Sequence, residues 1–290
     1  MALTSLKGPK VIGLMTALAL ICAGCGSSSG SSHSSAKVAG NCKPRHHFST
    51  ISSGYLTVVT TPYPPYAEIK DGKLWGIEGV LVNKLAAEEC LKVKVVSAPD
   101  AAEIPDVIGR RADMTIGDFY RSAPRAKVTG LTNPLFVDQM AIASKSGITT
   151  VAGLKGQTIG STEGYLWDTQ MATMFGSAFT LYPSDSDVYS SLKSGRLTVA
   201  LDGFGAASYA VKTGHIPVKV EVAKPDSSVP ASEQPAQAGW PYVKSNTGLG
   251  AAVNADIAAM HKNGEIADAL AQFGVPRSGA KTGPPRLVAG

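Results

Sequence analysis

Acidic, aromatic and basic side chains follow the end of a predicted buried strand. The strand covers residues 113–117, whose apolar and β-branched side chains are typical of a strand inside a sheet. Directly after it come Asp118, Phe119, Tyr120 and Arg121. In open α/β sheets, ligands bind at the carboxyl ends of the strands. We therefore expect a ligand site here.

Arg125 is a cation in the first turn of a predicted helix, for which Ser122 is a good N-cap. The helix dipole does not favour a cation at this end, because it attracts anions there. A guanidinium fork that grips a ligand carboxylate would explain the residue. The alternative is a surface arginine on a helix, and these residues alone do not decide between the two.

Two further places carry candidate ligand groups. Asp202 follows the apolar strand 197–201, and an acid there is costly to bury unless it has a partner. It could instead cap the following helix. Tyr63 and Tyr66 lie in a proline-rich loop after the first predicted strand, residues 55–60. Their rings could stack on a ligand or attract a cation, or they could simply fill a seam between lobes.

Composition limits the classes of function. The 290 residues are 44% hydrophobic and 17% charged, which suits a globular protein. The formal net charge of +5 is too small to indicate a nucleic-acid partner, especially once Lys7 and Lys10 are removed with a leader. No cysteine or histidine spacing matches a metal site, and we expect no cofactor. The pair His46 and His47 lies in a polar arm and is expected to be exposed to solvent.

Residues 1–24 have the pattern of an export signal. Lys7 and Lys10 precede an apolar run, residues 11–21, that is too short to span a bilayer comfortably. The segment that follows resembles a bacterial lipobox, with Cys25 as the lipidated residue, although Cys22 stands where leucine is usual. Residues 25–50 would then be a lipidated tether and arm with little order. The alternative is a secretory signal without a lipid.

Two cysteines remain after this processing. An exported protein can form disulfides, so Cys42 and Cys90 could form one bridge between the arm and the end of the first helix. The alternative is two unpaired thiols, with Cys90 a small apolar residue of its helix. We slightly favour the bridge.

Several segments in order resemble the solute-binding proteins of polar amino acid ABC transporters. Asp113, Ser122 and Arg125 fall in register with a motif of that family, and the loop of Tyr63 and Tyr66 matches its YPPF-like loop. Residues 149–156 and 262–266 match two more of its segments. The resemblance covers about residues 54–275 and implies the α/β, two-lobed type 2 periplasmic-binding fold. In that fold each lobe is a mixed, mostly parallel sheet flanked by helices, and two crossing strands join the lobes.

The resemblance also implies domain boundaries. Residues 54–137 and 254–278 would form lobe 1, residues 138–253 lobe 2, and residues 279–290 a tail without a core. The second crossing strand would be residues 248–253, followed by a helix that Asn254 caps.

The family assigns roles to several of these residues. Arg125 would clamp the α-carboxylate of an amino acid, together with backbone N–H groups at Gly164, and Asp202 would bind its α-ammonium group. This chain departs from the family at Asp118, where a small residue is usual, and at Tyr165 and Leu166, which replace hydroxyl residues.

The acids and the neighbouring rings favour a ligand with a cationic group. Asp118 and Asp202 would place two negative charges near one cleft, where Tyr63, Tyr66, Phe119 and Tyr120 supply aromatic surface. We therefore expect a monomeric, lipid-anchored protein on the extracytoplasmic face of the cell membrane. It would deliver an amino acid or a small amine to a permease with a cytoplasmic ATPase.

Two other classes of function stay open. One is an enzyme on the same fold, such as a cyclohexadienyl dehydratase-like protein, with Glu78, Asp118 or Glu163 as an acid or base. The other is a sensory or scaffold lipoprotein whose cleft has lost ligand binding.

Overall fold

The computed structural model describes residues 41–289, in which strands and helices alternate. The predicted signal, Cys25 and most of the tether lie outside these residues. In chain order the strands are β1 (Tyr55–Thr60), β2 (Glu68–Lys70), β3 (Lys73–Trp75), β4 (Lys92–Ser97), β5 (Met114–Thr115), β6 (Gly130–Leu131), β7 (Phe136–Asp138), β8 (Met140–Ser144), β9 (Ile159–Thr162), β10 (Phe179–Tyr182), β11 (Val199–Gly203), β12 (Lys219–Val222), β13 (Ala236–Ala238) and β14 (Pro241–Tyr242). The helices are α1 (Gly76–Glu88), α2 (Asp100–Ile108), α3 (Ala123–Val128), α4 (Asp168–Phe175), α5 (Asp185–Lys193), α6 (Phe204–Thr213), α7 (Thr247–Lys262) and α8 (Glu265–Gln272).

Two five-stranded sheets define two lobes. Lobe 1 has the strand order β4-β1-β5-β14-β6, in which β1 runs parallel to β4 and β5 and β14 runs antiparallel to β5 and β6. Lobe 2 has the order β10-β9-β11-β8-β12, in which β9, β10 and β11 are parallel and β8 is antiparallel to its neighbours. The predicted mixed sheets of a two-lobed α/β fold are confirmed.

The helices pack on these sheets through apolar faces. In α1, Ile77, Leu81 and Leu85 recur at four-residue spacing and are buried, and Val80 is partly buried against the same core. In α5, Val188 and Leu192, one helical turn apart, are buried in lobe 2. None of the helices within residues 41–289 is long and apolar enough to cross a membrane.

The lobes are joined by β7 and β13, which pair antiparallel with Val137 opposite Gln237. The prediction that residues 248–253 form the second crossing strand was wrong, because they lie in α7. The cap of this helix is Asn246 and not Asn254, and its side chain accepts a hydrogen bond from the backbone N–H of Leu249 at 3.1 Å. The small and apolar residues at 248–253 are compatible with either a strand or a helix. Burial of Leu249, Val253 and Ile257 on one helix face decided it.

The amino-terminal arm is attached to lobe 1. Cys42 and Cys90 form a disulfide, with their Cα atoms 5.8 Å apart. The backbone N–H of Ile51 donates to the Asp113 carboxylate at 2.8 Å. Arg45 forms an ion pair with Glu88 at 2.7 Å. Residues 41–50 are therefore held to the domain, although the sequence predicted little order before residue 51.

The carboxyl-terminal segment also packs on the protein, contrary to the predicted tail without a core. Val288 is 2% exposed and lies in the core of lobe 2. Gln237, in β13, donates its side-chain N–H groups to the carbonyls of Thr282 and Pro284, and Arg121 donates to the carbonyl of Arg286. The segment thus covers one of the two strands that join the lobes.

We expect Val288→Asp to lower the free energy of unfolding by about 2–4 kcal/mol, because it buries an unpaired charge. The melting temperature, measured by differential scanning calorimetry, should fall by about 5–10 °C. Leu287→Asp is the matched control, since Leu287 is 43% exposed. Equal melting temperatures for the two variants would contradict a packed carboxyl terminus.

Candidate functional site

A cavity lies between the lobes at the carboxyl ends of β1, β5, β9 and β11. It contains about 440 Å³ of space that protein atoms do not fill, and part of this space is open to solvent. The loops that follow these four strands supply most of its wall, together with the beginnings of α2 and α3. We call it the first cavity, and it is lined by Tyr63, Asp100, Gly117, Asp118, Phe119, Tyr120, Arg125, Gly164, Tyr165, Leu166, Trp167 and Gly203.

The turn at Gly117 and Asp118 is held by a buried acid of α1. Gly117 and Asp118 both have positive φ values, 128° and 54°. Their backbone N–H groups donate to the Glu78 carboxylate at 3.0 and 2.6 Å, and the indole N–H of Trp240 donates at 2.7 Å. Burial raises the pKa of Glu78, and these three hydrogen bonds oppose the rise. Glu78 therefore fixes the backbone that carries Asp118.

Sequence reasoning gave Glu78 no role in ligand binding and named it only as a candidate acid or base of an enzyme. A signal was present in the helical period. Glu78 lies three and four residues before Leu81 and Val82, both buried, so it faces the core. An acid on the buried side of a helix requires hydrogen-bond donors from elsewhere in the fold.

Asp118 contacts a second acid, Asp138, at the end of β7. Both side chains are buried, and neither carboxylate has a cation beside it within the described residues. Burial and then the charge of Asp138 raise the pKa of Asp118 well above its ordinary value. Both Asp118 oxygens lack a hydrogen-bond partner among residues 41–289. This end of the cavity is therefore short of positive charge or of donors.

Arg125 provides the opposite charge in the same cavity. Its guanidinium donates to the carbonyl of Tyr120 at 2.9 Å and to that of Gly164 at 3.4 Å. Its central carbon lies 4.9 Å from the ring centroid of Phe119. Within the described part of the chain it pairs with no carboxylate at ion-pair distance. Burial lowers its pKa to about 10, so an anion entering the cavity would restore lost solvation.

Asp202 does not line the first cavity, although the sequence predicted that it and Arg125 would face one ligand. Its carboxylate accepts hydrogen bonds from the hydroxyls of Tyr63 at 2.7 Å and Tyr189 at 2.8 Å. It lines a second cavity, of about 1020 Å³, with Asp185. Its neighbour Gly203 lines the first cavity instead. Successive residues of a strand face opposite sides, so one position decides which cavity an acid reaches.

Gly203 needs to be a glycine. A Cβ atom there would collide with the Asp138 carboxylate and lie 3.2 Å from an Asp118 oxygen. The bare backbone lets the two acids approach β11.

The backbone N–H groups at Gly164 are already occupied. The sequence predicted that they would bind a ligand carboxylate. The Asp168 carboxylate, in the first turn of α4, accepts from the N–H groups of Gly164 and Tyr165 at 2.8 and 2.9 Å. The aspartate thus occupies N–H groups that a ligand carboxylate would otherwise bind. Gly164 therefore contributes its carbonyl, which Arg125 contacts.

Aromatic rings form the remaining wall. Tyr63 and Tyr165 lie edge to face at 6.2 Å between centroids, and Tyr165 packs in the same way on Trp167 at 5.1 Å. Tyr66 does not line the cavity. It stacks on Phe136 at 5.1 Å in the core of lobe 1, so the suggestion that one tyrosine fills a seam fits this residue.

Asp100 is a further acid of the cavity wall that the sequence did not single out. Burial, followed by the charge of Asp185, raises its pKa to about 8, and Arg125 opposes the shift. The folded protein thus keeps a proton that the unfolded chain releases near the ordinary value of 3.8. The stability that comes from keeping Asp100 protonated is fully present below pH 3.8. It is lost progressively as the pH rises from 3.8 to about 8.

We expect Asp100→Asn to remove this loss, since an amide cannot ionise. Relative to wild type, the variant should gain about 3–4 kcal/mol in unfolding free energy between pH 5 and pH 8. Urea unfolding at both pH values measures the change. Asp71→Asn, on an exposed turn, is the control and should follow wild type. An Asp100→Asn curve parallel to wild type would show that Asp100 ionises alike in both states.

A cleft between two α/β lobes, lined by buried charges and rings, defines a two-lobed ligand-binding protein. The chain matches the model of the bacterial extracellular solute-binding proteins, family 3, over residues 56–275. Since this match spans most of the chain, the protein belongs to that family. No curated protein shows a significant sequence match.

Solved structures share the fold. An ancestral arginine-binding protein bound to glutamine is 24% identical, with a TM-score of 0.68 over 77% of this chain and 99% of that chain. The solute receptor for L-cysteine of Neisseria gonorrhoeae is 22% identical, with a TM-score of 0.66 over 83% and 100%. A substrate-binding protein of Streptococcus pneumoniae with bound histidine is 15% identical, with a TM-score of 0.68 over 77% and 94%. These structures establish the type 2 periplasmic-binding fold.

Proposed function

We propose that the protein captures an amino acid, or a related small amine, in the first cavity for import by an ABC transporter. The main support is that one cavity holds both an unpaired guanidinium, Arg125, and the carboxyl group of Asp118. The Asp118 oxygens have no hydrogen-bond partner among residues 41–289 and lie beside another acid. An amino acid has the two complementary charges. Solved structures of the same fold carry bound arginine, glutamine or histidine, which supports this ligand class.

In this proposal Arg125 binds the α-carboxylate and Asp118 binds an ammonium group. Asp118 takes the place that sequence resemblance gave to Asp202, because Asp202 is already satisfied by tyrosine hydroxyls. Burial and the charge of Asp138 raise the pKa of Asp118, and an arriving ammonium would favour its ionised form again. The rings of Tyr63, Phe119, Tyr120 and Tyr165 would surround the ligand.

The role is binding without chemistry. The family and the solved relatives are binding proteins, which supports this choice over an enzyme. Arg125 belongs to lobe 1 and contacts Gly164 of lobe 2, so a ligand on Arg125 would stabilise the closed arrangement of the lobes. A permease and its ATPase would receive the ligand from a monomeric binding protein.

Calorimetry with a panel of amino acids and amines tests the ligand assignment. We expect Arg125→Met and Asp118→Asn each to weaken the best ligand about 100-fold, because each leaves a buried charge unpaired. Lys127→Met, exposed on the same helix, should change the dissociation constant less than about threefold. Asp202→Asn should also have a small effect.

Ligand chemistry separates the two ends of the site. If arginine binds, the Arg125→Met loss should disappear for agmatine, which lacks the carboxylate, whereas the Asp118→Asn loss should remain. No heat from any ligand with folded wild-type protein would count against the proposal and favour a cleft that has lost binding. A large loss in Asp202→Asn with none in Asp118→Asn would return the ammonium site to Asp202.

We also propose that Cys25 carries a lipid anchor, on the strength of the lipobox-like segment that precedes it. Labelled palmitate fed to the expressing bacterium should enter the wild-type protein, which should fractionate with membranes. Cys25→Ala should lose both properties, and Cys22→Ala should keep them. Lipid on the Cys25→Ala protein would exclude this anchor.

A further inference from the structure

Three side chains from distant segments meet where the amino-terminal arm reaches lobe 1. They are His46 of the arm, Glu89 just after α1, and Asp256 of α7. One nitrogen or oxygen from each lies within 4.8 Å of the others. None of the three lines either cavity. The cluster is therefore separate from the proposed amino acid site.

The cluster contains more buried negative charge than its neighbours balance. The side chains of Glu89 and Asp256 are 0% and 1% exposed. Glu89 accepts from the backbone N–H of His46 at 2.9 Å and contacts its Nδ1 at 2.6 Å. Arg45 is 3.6 Å from Asp256 Oδ1 but lies closer, at 2.7 Å, to Glu88. Asp256 Oδ2 is buried and has no hydrogen-bond partner among residues 41–289.

We propose that His46, Glu89 and Asp256 form a binding site for a divalent first-row metal ion of the zinc type. Two carboxylates and one neutral imidazole carry two negative charges, which a divalent ion would balance. The mixed nitrogen and oxygen set favours zinc over calcium or magnesium, which prefer oxygen ligands alone. His46 is 35% exposed, so an ion can enter and keep a water as its fourth ligand.

The disulfide organises this site in advance. Cys90 directly follows Glu89, and Cys42 lies four residues before His46. Their bridge holds the arm against the end of α1, so His46 and Glu89 stay adjacent whether or not an ion is bound. The sequence predicted no metal site because the three ligands share no short spacing motif.

Titration calorimetry with zinc chloride tests the proposal on the full chain, purified with the disulfide intact and without a polyhistidine tag. We expect one zinc ion per chain. His46→Ala and Asp256→Asn should each weaken binding at least about tenfold, since even partners of the ligands contribute that much. His47→Ala is the matched control, because His47 is the exposed neighbour, and it should stay within about twofold. Calcium should give no saturable heat.

Any of three calorimetric results would overturn the proposal. They are no saturable zinc heat in the wild type, undiminished binding by His46→Ala, and an equal loss in His46→Ala and His47→Ala, which would indicate a surface histidine pair. X-ray absorption of the zinc-loaded protein should show a single imidazole, and two would also contradict the site. Near-ultraviolet circular dichroism verifies folding. If Asp256→Asn does not fold, the His46→Ala variant still tests the proposal, because His46 is partly exposed and its substitution should not prevent folding.

Discussion

The hydrogen bonds that the Glu78 carboxylate accepts hold the site together. They join α1 to the turn at Gly117 and Asp118 and to Trp240, which follows the second crossing strand. A buried carboxylate with one missing donor would be costly, so the three segments must be placed together. The left-handed backbone at Asp118 persists because its surroundings require it. Asp118 faces the cavity as a consequence.

The cavity leaves charged groups incompletely balanced. Asp118 lies beside another acid. Arg125 donates hydrogen bonds to backbone carbonyls and packs on the face of the Phe119 ring. Each arrangement is less favourable than an ion pair, so the folded protein gives up stability at this place. A ligand with an ammonium and a carboxylate group would recover part of it. Part of the binding free energy would then come from pairing charged groups that the folded protein leaves without partners.

Contacts between the lobes use the same side chains as the cavity wall. The Tyr63 hydroxyl, from lobe 1, donates to Asp202 of lobe 2, and Arg125 donates to the Gly164 carbonyl. Binding of a ligand in this cavity would therefore be coupled to closure of the lobes. The carboxyl-terminal segment adds hydrogen bonds to Gln237 in a crossing strand, so the joint between the lobes is also part of the packed structure.

The sequence by itself determined the features that depend on near neighbours. They include the short strand before Asp118, the Ser122 cap before Arg125 and the buried stripe of α1, because strand period, capping and helix period act over a few residues. Tertiary structure alone decided the rest. A shift of one residue sends Asp202 to the second cavity, Asp168 occupies the amides at Gly164, and residues 248–253 join a helix. These outcomes depend on contacts between residues that are far apart in the sequence, and a local sequence pattern does not predict such contacts.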